Sequence, residues 1–311
     1  MPSAGWFVEG SELAEILFHK EMTMQHIGFI GLGIMGKPMA INLLRAGLPV
    51  SIYARRAEVA EPLVAEGATA YDSPEALAAS GVDVIITIVP ATADVDEVLN
   101  GRKGIIHTAK PGCIVIDMST ISATATRRFA EQLAKKKIDM LDAPVSGGEQ
   151  GAIEGSLSIM VGGKAAVLEK VRPVLKKLGK QIVHIGDHGA GQVAKSCNQI
   201  IIAETIIAVS EALALAKASG VDPVKVREAL LGGFANSRVL EVHGQRMLDN
   251  DYKPGFKSVL HRKDMHLALE QAHQAGVDLP CAKEVMHSLD RIVLKGHGEL
   301  DSAAMHLLFE E

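Results

Sequence analysis

Hydrophobic and polar positions run along this chain in two successive textures. In the first, short apolar runs alternate with helical spacing. Residues 26–30 (HIGFI) form an apolar run and lead into a glycine-rich turn. A helical pattern covers 38–46 and stops at Gly47, and 48–54 reads as a second strand. A short helix is expected at 62–66. Another opens at Ser73-Pro74-Glu75, with Ser73 as N-cap and Pro74 in the first turn. The run 82–89 (VDVIITIV) is continuous and apolar, as in a strand buried on both faces. A helix at 92–99, a buried strand at 113–117 (CIVID), an amphipathic helix at 122–136 and a strand at 138–142 follow. Residues 157–161 and 182–185 read as the last two strands. Strands alternating with helices predict an α/β fold, an N-terminal Rossmann-type, doubly wound parallel sheet.

The second texture begins near residue 187. Strand signals stop at Gly191, and 192–219 reads as one helix about 42 Å long that ends at Gly220. Later helices break at Gly232-Gly233, at Lys253-Pro254-Gly255 and between Gly276 and Pro280. The reading is an α/β domain over 25–187 and an all-helical domain over 188–311. The long interdomain helix joins them, with His188-Gly189-Ala190-Gly191 as the link. That helix carries Val193, Ile200, Ile201, Ile202, Ile206, Ile207, Val209, Leu213 and Leu215 around several faces. A helix apolar on most sides is expected to be buried. One small helical domain covers only part of it, so a homodimer or homotetramer is expected. Residues 1–24 carry scattered glutamates around short apolar patches and lack the basic start and long apolar stretch of a signal peptide. They read as a leader or upstream extension, poorly ordered, with a short added helix as the alternative.

Composition narrows the function. The chain has 311 residues, 48% of them hydrophobic, and a formal net charge of -5. A protein built to coat phosphate backbones is usually basic, so nucleic acid is not the expected partner. No run reaches the roughly 18 uninterrupted apolar residues of a membrane span; the richest, 200–215, is broken by Glu204 and Glu211. Cys113, Cys197 and Cys281 lack paired spacing, which fits reduced thiols in a cytoplasm. The histidines include no His-Glu-x-x-His, so no metal site is proposed.

Candidate chemistry sits at five places. Gly31-Leu32-Gly33-Ile34-Met35-Gly36 follows a strand and opens a helix, the context that gives this spacing its meaning as a dinucleotide fingerprint. Gly31 permits the tight turn, Gly33 lets a pyrophosphate approach the backbone, and Gly36 lets helix and strand pack closely. The bland alternative is a tight turn with no ligand. The second strand ends Tyr53-Ala54-Arg55-Arg56 and lacks the Asp or Glu of an NAD-selective site. Arg55 and Arg56 can hold a 2′-phosphate, or be a solvated surface pair. This gives NAD(P)H, with NADPH slightly ahead of NADH. Ser146-Gly147-Gly148 at a strand's end offers a hydroxyl and bare N–H groups to a carboxylate, or is a plain loop. Lys195 shares a helix face with Asn198 and Gln199; it can donate a proton while an amide holds a substrate hydroxyl, or be a solvated surface lysine. His261-Arg262-Lys263-Asp264 can reach across a cleft, or be an ordinary charged helix face.

These motifs occur in the order of the β-hydroxyacid dehydrogenase family, which the chain resembles over about 25–306. The resemblance rests on the fingerprint with Met39-Ala40 and Asn42-Leu43, on 142–148, on Gly189-Ala190-Gly191 with Lys195 and Asn198, and on Lys263-Asp264. It implies a dinucleotide-binding domain, a helical substrate and oligomerisation domain, and a small carboxylate substrate. It implies Lys195 as acid/base, Asn198 assisting, and Ser146, Gly147 and Gly148 on the carboxylate. Val89, Pro90, Ser119, Thr120 and Lys263 would line the cofactor. Asp117-Met118-Ser119, 143–149, Lys253-Pro254-Gly255-Phe256 and Leu260-His261 look most like the branch that reduces tartronate semialdehyde to glycerate. The 3-hydroxyisobutyrate-oxidising branch is the near relative. Two departures stand out. Many members carry Asn or Asp where Ala54 stands, and some have a second Asn where Gln199 stands, leaving open which amide meets substrate. A catalytically silent dinucleotide-binding sensor would keep the glycines without needing Lys195 beside an amide face. Imine reductases of similar fold generally lack the lysine.

Overall fold

The computed structural model describes residues 25–310; the expectation for 1–24 lies outside them. The first unit runs β1 (Ile27–Ile30), α1 (Gly36–Arg45), β2 (Val50–Tyr53), α2 (Glu61–Ala65), β3 (Thr69–Ala70), α3 (Pro74–Ala79), β4 (Val84–Thr87) and α4 (Thr92–Asn100). It continues through β5 (Ile114–Asp117), α5 (Ala123–Ala134), β6 (Asp139–Asp142), β7 (Val145–Ser146), α6 (Gly148–Glu154), β8 (Leu157–Gly162), α7 (Ala165–Leu175) and β9 (Gly179–Gly186). The strand order β3-β2-β1-β4-β5-β6 is parallel throughout, with β1 at the point where the winding reverses. The continuous apolar strands serve both faces: Val84, Ile86, Ile114 and Ile116 enter one core, and Ile85 and Val115 the other. Ser73 caps α3 by accepting from the Ala76 N–H at 3.1 Å, and Pro74 occupies the first turn.

The parallel expectation fails at one edge. β8 runs antiparallel to β6 and β7, while β9 returns parallel to β8. Helix α6 has only 7 residues and ends at Gly155 in the left-handed region. At about 10 Å it is too short to carry the chain back along the sheet, so β8 re-enters from the same end. Sequence patterning missed β3, β7, α6 and α7, the first three because they are too short for a period to show.

The second unit is α8 (Ala190–Ala218), α9 (Pro223–Leu231), α10 (Arg238–Leu248), α11 (Ser258–Ala275) and α12 (Pro280–Ile292), closed by a 3-10 stretch, Ser302–Phe309. Helix α8 begins at Ala190, inside the expected link, and has 29 residues. It is long and apolar enough by composition to cross a membrane. Here its Ala203, Ile206, Val209 and Leu213 form a core with Leu240, Met247, Met265, Leu289 and Met305. Burial is incomplete: Ile201 and Leu215 are 65% and 69% exposed. Its first turns lie against α5, β6, β7, β8 and β9, which brings Lys195 to the carboxyl ends of the strands.

Candidate active site

The fingerprint turn is built for close approach. Gly31 has φ +101°, and a Cβ there would lie 2.2 Å from the Ile88 carbonyl oxygen. A Cβ on Gly36 would lie 1.9 Å from the Gly31 carbonyl oxygen, so helix and strand meet backbone to backbone. Gly33 faces open space. The three glycines thus do what the spacing requires, and the bare Gly33 backbone at the head of α1 fits a pyrophosphate. A cleft of about 490 Å³ opens here, lined by Leu32, Gly33, Ile34, Lys37, Pro38, Ile41, Arg56, Glu149 and Ile153. Met35 is half-buried behind the turn. Lys37 is a cationic wall residue that sequence reasoning did not single out. Arg56 lies on the cleft; Arg55 does not, and instead pairs with Asp94 at 3.3 Å. Asp94 also accepts from the Ala91 N–H at 3.1 Å. Both arginines are solvated, so the Arg55–Asp94 pairing is weak.

The loops after β4 and β5 are tied together. The Val89 N–H donates to Ser119 Oγ at 2.9 Å, and Pro90 is exposed beside it. Ser119 is buried and Thr120 half-buried. Lys263, from α11, donates to the Thr120 carbonyl and lies 2.9 Å from Asp264. The reach across the cleft expected of the His-Arg-Lys-Asp segment is therefore made by Lys263. Beneath these loops, adjacent strands place two buried carboxylates side by side, Asp117 and Asp142. Asp117 accepts from Thr87 Oγ1 at 2.8 Å and from the Ser119 N–H at 3.2 Å. Burial nevertheless pushes it up to about 6, with Asp142 adding to the rise. Asp142 accepts from the Gly189 N–H at 2.8 Å and the Gln192 N–H at 3.1 Å. It caps α8 from a distant strand, which no local sequence pattern reveals.

One turn further along α8, Lys195 is only 8% exposed and no hydrogen bond holds it among the described residues. The solvated-lysine alternative therefore falls. Burial lowers its pKa from 10.5 to about 8, with Lys263 pushing the same way and Asp264 opposing. Asn198 Nδ2 donates to Gln199 Oε1 at 2.8 Å, and Gln199 Nε2 donates to Asp264 Oδ2 at 2.7 Å. Both ends of the buried Gln199 amide are thereby engaged, while Asn198 is half-buried with its own carbonyl oxygen uncommitted. Behind them His261 is fully buried against Phe256, ring centroids 5.3 Å apart, and burial depresses it to about 4. Ser146 is half-buried and ends β7, followed by Gly147 and Gly148, both exposed and at positive φ. That pair of glycines turns the chain into α6 and leaves backbone N–H groups bare.

Buried base, amide face, bare N–H groups and glycine turn converge on the carboxyl ends of the parallel strands, where doubly wound sheets bind ligands. The arrangement can hold a dinucleotide and move a proton near neutral pH. Residues 26–186 match the family model described as the NAD binding domain of 6-phosphogluconate dehydrogenase. Residues 189–309 match the NAD-binding region of NADP-dependent 3-hydroxyisobutyrate dehydrogenase. The chain is 47% identical to 2-hydroxy-3-oxopropionate reductase of Escherichia coli (strain K12), over 90% of this chain and 95% of that one. It is 37% identical to 3-hydroxyisobutyrate dehydrogenase of Pseudomonas aeruginosa, over 92% and 99%. Among solved structures, Mycobacterium tuberculosis 3-hydroxyisobutyrate dehydrogenase with L-serine superposes at a TM-score of 0.84, with 32% identity, over 93% of this chain and all of that one.

Proposed function

The chain belongs to the β-hydroxyacid dehydrogenase family, and from that premise we propose that it reduces tartronate semialdehyde to glycerate with Lys195 as general acid. It is an NAD(P)-dependent oxidoreductase acting on CH–OH groups of a small molecule. The observation that carries the finer reading is the buried Lys195 with its pKa brought to about 8, beside the uncommitted Asn198 carbonyl oxygen. A 47% identical relative that bears the name of this activity supports the substrate.

The fingerprint glycines, Leu32, Ile34, Met35, Val89, Pro90, Ser119, Thr120 and Lys263 are the residues that would hold the dinucleotide, with Arg56, on the cleft, favouring a 2′-phosphate. When bound in its reduced form, the nicotinamide supplies hydride to the aldehyde carbon. The bare N–H groups at Gly147 and Gly148 and the Ser146 hydroxyl receive the substrate carboxylate. The Lys195 ammonium donates a proton to the oxygen that becomes the new hydroxyl. Asn198 holds the substrate's existing hydroxyl through its carbonyl oxygen, and Gln199 braces Asn198 against Asp264. A lysine near 8 is protonated often enough at neutral pH to donate and sheds its proton readily enough to accept in reverse. The exposed Ile201 and Leu215 on α8 support a homo-oligomer built on the helical unit.

The test is an initial-rate panel: tartronate semialdehyde reduction with NADPH and with NADH, and glycerate and 3-hydroxyisobutyrate oxidation with NADP+ and with NAD+. Tartronate semialdehyde with NADPH should give the highest kcat/KM. Lys195→Ala should lower kcat by about 10²–10⁴-fold and leave dinucleotide binding intact. A 3-hydroxyisobutyrate kcat/KM above that for the aldehyde would move the enzyme to the neighbouring branch; near wild-type turnover in folded Lys195→Ala would remove the general acid.

A further inference from the structure

The loop that walls the cofactor site and the helix that carries Lys195 are fastened to each other by one buried side chain. Gln192 is 1% exposed and sits one turn before Lys195 on α8. Its Oε1 accepts from the Ile121 N–H at 3.0 Å, and its Nε2 donates to the Ser119 carbonyl oxygen at 2.9 Å. One amide thus grips the backbone on both sides of Thr120. The Gln192 backbone N–H meanwhile donates to Asp142 on β6. The Thr120 carbonyl is taken by Lys263 of α11, and Ser119 Oγ accepts from the Val89 N–H. The three loop residues 119–121 are therefore tied through their backbone to α8 and α11, and through the Ser119 hydroxyl to the β4 loop.

We infer that Gln192 is a positioning residue: it fixes the distance between the proton donor on α8 and the nicotinamide seat on the 119–121 loop. The inference rests on the reading of Lys195 as acid and of Ser119-Thr120 as cofactor wall. Its physical basis is registration. Hydride and proton must reach adjacent atoms of one carbonyl group, and the two donors stand on different elements. Without a tie, each element relaxes separately, and misplacement by about 1 Å can cost on the order of 10²-fold in rate. The primary amide suits the task because it offers one acceptor and one donor at fixed spacing, matching an N–H and a C=O two residues apart. Asp142 complements it by fixing the backbone of the same turn, so neither end of the tie can slide.

The experiment compares wild type with Gln192→Met and Gln192→Ala. Methionine keeps the length and volume of the side chain and removes both hydrogen bonds; alanine removes the bulk as well. Four quantities are read: kcat and KM for the best substrate of the panel, NADPH Kd by cofactor fluorescence, and amide exchange of residues 118–123 in the apo protein. The expected result for both variants is a kcat lower by about 10–100-fold, with KM and Kd within about threefold of wild type, and faster exchange at Ile121. A merely structural role would lower the melting temperature while leaving kcat per folded molecule unchanged. Wild-type kcat in folded Gln192→Met, or a loss matched by an equal rise in NADPH Kd, overturns the proposal. If wild type is inactive on the whole panel, the assigned reaction fails. Amide exchange then decides the tie alone, with unchanged protection of Ile121 in Gln192→Met refuting it.

Discussion

Replacing Lys195 by methionine should destroy activity and raise stability, and the size of the gain follows from its burial. The native lysine loses its proton near 8, against 10.5 in its unperturbed state. That displacement opposes the buried ammonium by roughly 3 kcal/mol. The unfolded chain therefore binds more protons than the native one between about 8 and 10.5, and the wild type gains stability as pH rises through that window. Below pH 8 both states carry the charge and the whole penalty applies; above 10.5 it is gone. Methionine fills similar space without charge. It strands no carboxylate, because Asp264 keeps Lys263 at 2.9 Å and Gln199 at 2.7 Å. The folded apo Lys195→Met variant should be more stable than wild type by about 1–3 kcal/mol at pH 7, a rise of about 2–8 °C in Tm. The difference should shrink toward zero by about pH 10.5. Calorimetric melts of both proteins at pH 7, 8.5 and 10 measure it, and taking the difference at each pH cancels the titrating groups that do not interact with Lys195. A variant less stable than wild type at pH 7, or a gain that does not change with pH, would refute the burial argument.

The glycine turn makes a paired prediction. Gly33→Ala should melt like wild type, because its Cβ meets nothing, yet lose more than about tenfold in dinucleotide affinity; Gly36→Ala should lose several degrees of Tm, because its Cβ would lie 1.9 Å from a backbone oxygen. Dye-free melting and cofactor fluorescence separate the two. Arg56→Ala should lower kcat/KM for NADPH by about 3–30-fold and leave NADH nearly unchanged, since this arginine lies on the cleft and contributes chiefly through a phosphate contact; an unchanged ratio removes Arg56 from the specificity turn. Asp117→Asn should stabilise the protein at pH 7, with the gain fading as pH falls through 6 toward 3.8, because burial raises the native carboxyl to about 6 and the native state binds the extra proton in that window. Sedimentation at micromolar concentration should give a mass above 33.0 kDa; an active monomer would show that Ile201 and Leu215 need no cover.

The elements that sequence patterning finds are those long enough to show a period or punctuated by a local residue. The strand over Val84–Thr87 is legible because burial on both faces removes polar residues. The helix over Pro74–Ala79 is legible because Ser73 and Pro74 act within one turn. Helix α6 is lost because 7 residues hold barely two turns, and with it the reversal that makes β8 antiparallel. In the site, Lys195, Asn198 and Gln199 are visible as one helix face, since their spacing is local. That Gln199 is engaged at both ends depends on Asp264, 65 residues away. Asp142 and Gln192 belong to the same class: their partners come from other strands and loops, and a single sequence carries no sign of that pairing.

Helix α8 is held at its first turn by Asp142 and Gln192, while the other helices pack along the rest of its length. Mechanically it is a lever of about 44 Å with its fulcrum at one end. A swing of the helical body about that turn must also release α11, where Lys263 holds the Thr120 carbonyl, or bend the rod beyond Gln199. A rotation of about 5° at the fulcrum moves the far end by about 4 Å and displaces Lys195, only a turn from the pivot, by under about 1 Å. Large breathing at the outer face of the molecule is thus compatible with near-stationary chemistry.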